Sequence, residues 1–409
     1  MSTTELRLGE ELISPLHLLY DGLQVDGEPR RAHLAEHHPV WIVTRYRDAR
    51  TVLAHPGVRR DAGAAAALYA RKTGEQRFAV GGALTAHMLN ADPPDHTRLR
   101  SLVGRAFTTG RVERLRPHIE RLAGELLDGM AAKGEAELMG DYAVPLTIGV
   151  ICELLGVPDS ERDHVRSSWE RQAELLSPAA AEKLAEEQAG YLRGLLALKR
   201  AEPGDDVLSG LVQAADENGG LDEVELGSMA HLLLMSGFET TMNMIGNAVV
   251  TLLAHPAQLA LLRERPELLP GALEELVRHD SPVRASMLRF TAEPVELEDV
   301  TIPEGEYILV SNLTANHDAA RFDDPDRLDL TRRAEGHLGF GHGVHHCIGA
   351  PLGRLESQIA IGALIGRFPN LALAVPAGEL QWLPITFLRA LISVPVTVGN
   401  SPAPKEGLA

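Results

Sequence analysis

The stretch that most constrains this chain is Phe340-Gly341-His342-Gly343-Val344-His345-His346-Cys347-Ile348-Gly349, in which three glycines and a phenylalanine bracket one cysteine. Glycine can take positive φ and brings no Cβ, so such a loop can pass close to a flat ligand and wrap it. A helical pattern resumes from Leu352 through Arg354, Leu355 and Glu356, which predicts Cys347 just ahead of a helix. Backbone N–H groups and the positive end of the helix dipole favour a thiolate there and lower its pKa. A metal-ligating sulfur needs such surroundings.

The residues alone admit four readings. One is a Gly-rich surface turn with a buried cysteine. A second is zinc held by His342, His345, His346 and Cys347, although adjacent His346 and Cys347 converge poorly on one tetrahedral ion. A third is a phosphate cradle, which lacks its closing Lys-Ser/Thr. The fourth is haem iron held by a cysteine thiolate, which pushes electron density toward bound dioxygen.

The decapeptide resembles the haem-binding loop of the cytochromes P450, Phe-Gly-x-Gly-x-His-x-Cys-x-Gly, at every fixed place. That resemblance implies Cys347 as the axial iron ligand, His345 as a haem-propionate partner, and Phe340, Gly341 and Gly349 as the wall around haem b. His342 and His346 fall on variable positions. Asp92-Pro93-Pro94-Asp95-His96-Thr97-Arg98-Leu99-Arg100 reads as a helix start with His96 and Arg100 on one face. It resembles the bacterial P450 segment that offers this histidine and arginine to the propionates, and Arg289 matches the family's second propionate-binding arginine.

Asp222 to Ala254 is the longest helical pattern, and its interior carries Met235-Ser236-Gly237-Phe238-Glu239-Thr240-Thr241. An acid beside hydroxyl residues in an apolar helix needs a reason, because an unpaired buried carboxylate is costly. A glycine followed by side chains that can bond the backbone also predicts a bend or opening. The segment resembles the family's dioxygen-activating helix, Ala-Gly-x-Glu-Thr-Thr, with Ser236 in place of alanine. By that resemblance Thr240 would support dioxygen activation, Glu239 would help deliver protons, and Gly237 would leave room for oxygen. Glu275 and Arg278, three apart on a later helix, resemble the family's buried Glu-x-x-Arg pair, whose network Arg327 would complete.

Composition bounds the rest. The chain has 409 residues, 44% apolar with 4% aromatic, and no visible linker, which fits a largely helical globule. Its two cysteines exclude a disulfide framework, and Cys152 reads as a small core residue in a reducing compartment. A formal charge of −18 argues against nucleic-acid binding and against anionic membranes. Six arginines at 98, 100, 105, 111, 114 and 116, against the single acid Glu113, form a basic island within that acidic chain. The N-terminus shows no signal peptide, and the uncharged run Thr240 to Leu262 is broken by polar residues and Pro256, so a cytoplasmic protein is expected.

Strands are expected at Pro39–Tyr46, Met287–Ala292, Val295–Leu297, Tyr307–Val310, Leu371–Val375 and Leu391–Val398, and an irregular segment over Pro56–Asp95. Taken together, the resemblance covers nearly the whole chain. It implies a mainly α, single-domain P450 fold over residues 1–409, a helix-rich body with a smaller β-rich region and haem between two long helices. The implied activity is monooxygenation of a large hydrophobic molecule, a polyketide, macrolide, peptide or terpenoid, by hydroxylation or epoxidation with O2 as co-substrate. Substrate contacts would come from Leu84, Met88, Leu89, the Trp169–Ser177 lid, Leu232, Met235, Ser236, Val283, Ala285, Met287 and Ile385. No flavin or iron–sulfur signature is visible, so a monomer would draw electrons from a separate ferredoxin and its reductase. Peroxide use, oxidative coupling, or haem-thiolate binding without turnover are the alternatives.

Overall fold

Apolar periodicity of 3.6, cut by proline and glycine, sets the helical body, while short β-branched runs build a smaller flank. The structure, a computed structural model, describes residues 6–8, 28–34, 38–74, 84–104, 107–173, 178–218, 220–383, 385 and 387–399. Glu223–Ala254 is its central helix, about 48 Å long at 1.5 Å per residue. A capping box starts it: Asp222 accepts from the Glu225 N–H at 2.8 Å, and Glu225 accepts from the Asp222 N–H at 3.1 Å. It stops at His255, ahead of Pro256, which cannot continue the hydrogen-bond ladder.

The helix runs unbroken through Gly237, so the opening expected there does not occur. Thr240, Thr241 and Asn243 each donate to the carbonyl four residues back, so the hydroxyl and amide groups join the ladder rather than replace it. Helix Val144–Leu155 and the C-terminal helix Ala350–Arg367 pack against this rod, and the large apolar core fills the space between them.

The flank is a six-stranded sheet built from β1 (Leu6–Leu8), β2 (Arg30–Leu34), β3 (His38–Val43), β4 (Val58–Arg59), β6 (Arg289–Thr291) and β9 (Tyr307–Val310), in the order β1-β2-β3-β9-β6-β4. β3 and β9 run parallel, whereas β6 is antiparallel to both β9 and β4, with Val58 opposite Thr291 and Arg59 opposite Phe290. β5 (Glu135–Glu137), β10 (Ala372–Leu373) and β11 (Pro395–Thr397) make a three-stranded sheet, and β7 (Val295–Glu296) with β8 (Thr301–Ile302) a ribbon.

The strand expected at Tyr307–Val310 forms with those bounds, the other expected strands are shorter, and the chain from Tyr46 is already helix, Tyr46–Ala54. Part of the segment read as irregular is also a helix, Ala62–Thr73. Asp61 accepts from the Ala64 N–H at 2.6 Å to start it, and Gly74 at φ +77° ends it. No single described helix is long and apolar enough to cross a membrane.

Candidate active site

A cavity lies between the central helix and the C-terminal helix, with Cys347 at its floor. The loop that carries the cysteine is held from inside, because the Cys347 N–H donates to the Phe340 carbonyl at 2.9 Å. Gly343 sits at φ +72°, and any Cβ there would come within 2.4 Å of the Leu53 carbonyl oxygen, so two independent constraints demand glycine. Arg354 anchors the loop to its helix: its guanidinium stacks over Phe340 at 4.2 Å and donates to both Glu274 oxygens at 2.7 and 2.8 Å. Burial pushes the Glu274 carboxyl up, but Arg354 and His337 outweigh it and hold the group down at about 2.

The Cys347 sulfur opens onto the cavity yet is enclosed by protein. Burial pushes its pKa up, while the N–H groups of Gly349 and Ala350 and the charges of Arg100 and Arg354 pull the other way. In the protein alone burial wins, so the lowering expected from the helix terminus is outweighed. The four groups weighed for zinc do not converge; among the described residues no group of three or more His, Cys, Asp or Glu side chains is placed to hold an ion.

One edge of the cavity is cationic. His96, Arg100, Arg289 and His345 all line it, and the His96 and His345 rings lie 4.4 Å apart. Arg60, which no motif flagged, joins them. His96 Nε2, His345 Nε2, Arg60 Nε and Arg289 Nε are buried with no hydrogen-bond partner among the described residues. Burial and the surrounding arginines drive the His345 imidazole down to about 2, burial against the opposing pull of Asp92 brings the Arg289 guanidinium to about 10, and burial with Arg289, again opposed by Asp92, brings Arg60 to about 9. Buried donors without acceptors are rare. A rim of them is what a ligand bearing carboxylates requires, and the two propionates of haem b meet it. Arg100 also donates to the His346 carbonyl at 2.6 Å, tying the rim to the cysteine loop.

The opposite wall comes from the central helix. Ser236, Gly237, Thr240 and Leu232 face the cavity. Thr240 Oγ1 donates to the Ser236 carbonyl at 3.2 Å, and Ser236 Oγ to the Leu232 carbonyl at 2.6 Å. Glu239 lies a step round the helix and does not line the cavity. A Cβ on Gly237 would fall 2.4 Å from Ile151 Cδ1, so the glycine allows close packing of two helices at a point that also faces the cavity.

Of the expected substrate contacts, Met88, Leu89, Leu232, Ser236, Val283 and Met287 line the cavity. Leu84, Met235, Ala285 and Ile385 do not. Leu84 is in the main core with Met235 packed against it, and Ala285 packs against Val40 and Leu309 behind the sheet. Ile385 presents its carbonyl to Arg284 at 2.6 Å. In the expected lid, 174–177 lie outside the described residues.

Glu275 and Arg278 form the expected buried pair, joined at 2.7 and 2.9 Å and fully excluded from solvent. Arg327 is not its third member. That side chain is 64% exposed, 3.8 Å from Asp329, and the network is completed by Arg332, whose Nε donates to Glu275 at 3.1 Å.

The family model for cytochrome P450 matches residues 150–372. Cytochrome P450 107B1 of Saccharopolyspora erythraea is 47% identical over 361 residues, covering 88% of this chain and 89% of that protein. The P450 monooxygenase PikC of Streptomyces venezuelae is 43% identical, covering 95% and 92%. Among solved structures, the tirandamycin C-bound P450 monooxygenase TamI superposes with a TM-score of 0.88 at 40% identity, over 96% of this chain and all of that one. The chain belongs to the cytochrome P450 family. It is an oxidoreductase, a P450 monooxygenase that uses cysteine-ligated haem and O2.

Proposed function

We propose that Cys347 ligates the haem iron, that His96, Arg100, Arg289 and His345 hold the propionates, and that the chain works as a single-domain, cytoplasmic monomer. The observation that carries this reading is the convergence on one cavity of a thiol and a rim of orphaned buried donors. When bound, the haem supplies reductive activation of dioxygen. The protein's own contribution is positional. Arg354, Glu274 and Phe340 fix the cysteine loop, the rim neutralises carboxylates, and the N–H groups of Gly349 and Ala350 favour the thiolate. On the far wall the Thr240 hydroxyl can hold or pass a proton at Oγ1, and Glu239 supplies protons from the next step of the helix.

The walls above Cys347 are largely apolar, with Ser236, Thr240, Thr241, Ser286 and Asn312 as the uncharged polar exceptions, which suits hydroxylation or epoxidation of a large hydrophobic molecule held by shape. A polyketide, macrolide, peptide or terpenoid meets that description, and TamI, which holds tirandamycin C, shares the fold. Electrons would come from a ferredoxin and its reductase. In the test, the reduced protein is exposed to carbon monoxide. Wild type should show the red-shifted absorption of a thiolate ligand, and Cys347→His should lose it while keeping haem. The same band in both would remove Cys347 from the iron.

A further inference from the structure

We infer that Arg60 is a further anchor for the carboxylates of the cofactor, sharing one edge of the cavity with Arg289. The inference rests on the haem reading above and adds a residue to it.

The sheet places the two arginines together. β4 and β6 pair antiparallel with Val58 opposite Thr291 and Arg59 opposite Phe290. One more step in that register sets Arg60 opposite Arg289. Side chains alternate along the strand, so Val58 is buried, Arg59 exposed and Arg60 buried again. Both Arg60 and Arg289 line the cavity, at 8% and 5% exposure.

Two like charges side by side and out of water oppose folding unless something answers them. Neither Nε has a partner among the described residues. The carboxylate that bears electrostatically on both is Asp92. Its oxygens, however, accept from the backbone N–H groups of Arg60 at 3.0 and 3.1 Å and of Asp61 at 2.9 Å. Asp92 thus fixes the turn after β4 and aims Arg60, but leaves the guanidinium's own donors unmet. Asp92 is the one carboxylate that bears on Arg60 and Arg289, and Arg100 adds a third guanidinium to the cavity edge. Two positive charges remain, and a ligand with two carboxylates balances them.

An arginine retained only for the fold would direct its donors at protein carbonyls, as Arg284 does toward Ile385. Arg60 makes no such bond among the described residues, and it lines the cavity. A carboxylate-bearing substrate could answer it too, and the test separates that source from the cofactor's propionates.

Wild type, Arg60→Met and Arg60→Lys are each loaded with haem b or with haem dimethyl ester, whose propionates carry no charge. Transfer of the haem to excess apomyoglobin is followed by absorbance. Losing one charge-assisted contact should raise the haem b loss rate of Arg60→Met about tenfold over wild type, with Arg60→Lys between them. With the ester, the two rates should become equal within about twofold, because a double-mutant cycle cancels when its second partner is already gone. Equal haem b loss rates in wild type and Arg60→Met would overturn the inference. So would a tenfold gap that persists with the ester, which would assign Arg60 to the fold, whereas equal haem b loss rates leave a substrate carboxylate as its partner. If Arg60→Met does not fold, Arg60→Gln takes its place in the same comparison, with Arg60→Lys again between it and wild type. Wild type that takes up no haem b would instead bring down the haem reading itself.

Discussion

Arg332 Nε donates to Glu275 Oε1 at 3.1 Å, although fifty-seven residues separate them in the chain. The same carboxylate holds Arg278 with both oxygens and accepts the Asp329 N–H at 3.1 Å. Arg332 in turn binds the carbonyls of Asp323, Asp324 and Arg327. One buried carboxylate therefore staples the loop that precedes the cysteine segment onto the helix Leu269–His279.

Arg332→Ala should cost about 2 to 3 kcal/mol of stability, since it strips a charged hydrogen bond from a buried carboxylate and frees three carbonyls. Arg327→Ala, at the exposed position, should stay within about 0.5 kcal/mol of wild type. Urea unfolding of both variants checks this, and the reverse ranking would return Arg327 to the network.

Gly237→Ala separates packing from ligand space. At an open helix position this change stabilises by about 1 kcal/mol, but here the new methyl meets Ile151 Cδ1 at 2.4 Å, and overpacking costs about 1 to 3 kcal/mol. The variant should unfold earlier, and Ile151→Ala in the same chain should recover part of the loss. A Gly237→Ala protein of unchanged stability but impaired oxygen use would show that the glycine keeps space for oxygen.

Thr240 carries the hydroxyl of the wall opposite the rim. Thr240→Ala should keep haem binding, because the Oγ1 bond to the Ser236 carbonyl is local to the helix, yet release several-fold more hydrogen peroxide per NADH consumed. Thr240→Ser should behave like wild type. An unchanged peroxide yield in Thr240→Ala would shift the proton-handling role to another group, with Ser236 and Thr241 the other hydroxyls of the central helix that line the cavity.

Local motifs made much of this site legible. His96 with Arg100, Arg289, and His345 with Cys347 come from three separate stretches, and the fold brings them to one cavity. What escaped was set by tertiary register. Arg60 carries no motif; the usable signal was alternation past a short strand, Val58 in and Arg59 out. Arg327 and Arg332 are both near the right place, and only the course of the loop decides between them. Ala285 and Met287 illustrate the limit for apolar residues: one packs behind the sheet, the other faces the cavity, and their composition gives no distinction. His317 is buried, with Nδ1 2.9 Å from Asp326 Oδ1 and Nε2 2.9 Å from the His279 carbonyl.

Buried histidines set an acid limit on stability. Burial, with the nearby charges of His317 and Arg278, drives His279 down to about 3, and burial drives His87 and His231 down to about 4. The unfolded chain titrates near an ordinary value of about 6.5 and so binds these protons first. Stability should be full above that pH and fall as pH drops toward 4, by up to about 1.4 kcal/mol per unit for each histidine. Glu274, held at about 2, adds its own loss only below its ordinary value, so the upper part of the window belongs to the histidines. His231→Gln should flatten the slope between pH 6.5 and 5 in urea titrations; an unchanged slope would mean His231 is protonated in the fold.

The basic island resolves into paired and unpaired members, which sharpens where an acidic electron donor could be steered. Arg98 is already committed: its guanidinium binds both Glu225 oxygens and the Gly220 carbonyl, anchoring the start of the central helix. Arg100 turns toward the cavity and the His346 carbonyl, Arg111 pairs with Asp205, and Arg116 with Glu113. Arg105 lies outside the described residues. Arg114, exposed at the end of the short helix Thr109–Glu113, has no ion pair among the described residues, and that helix packs on the C-terminal helix that follows Cys347. A paired charge contributes little long-range field, whereas an unpaired one raises the association rate of an oppositely charged partner. Arg114→Glu should therefore slow ferredoxin-dependent reduction, most at low ionic strength where screening is weak, and leave dithionite reduction unchanged. Arg98→Ala should instead lower stability by about 1 kcal/mol with little effect on the ferredoxin rate. If stopped-flow reduction at low salt responds to Arg98 and not to Arg114, the donor approaches by the helix start and this assignment is reversed.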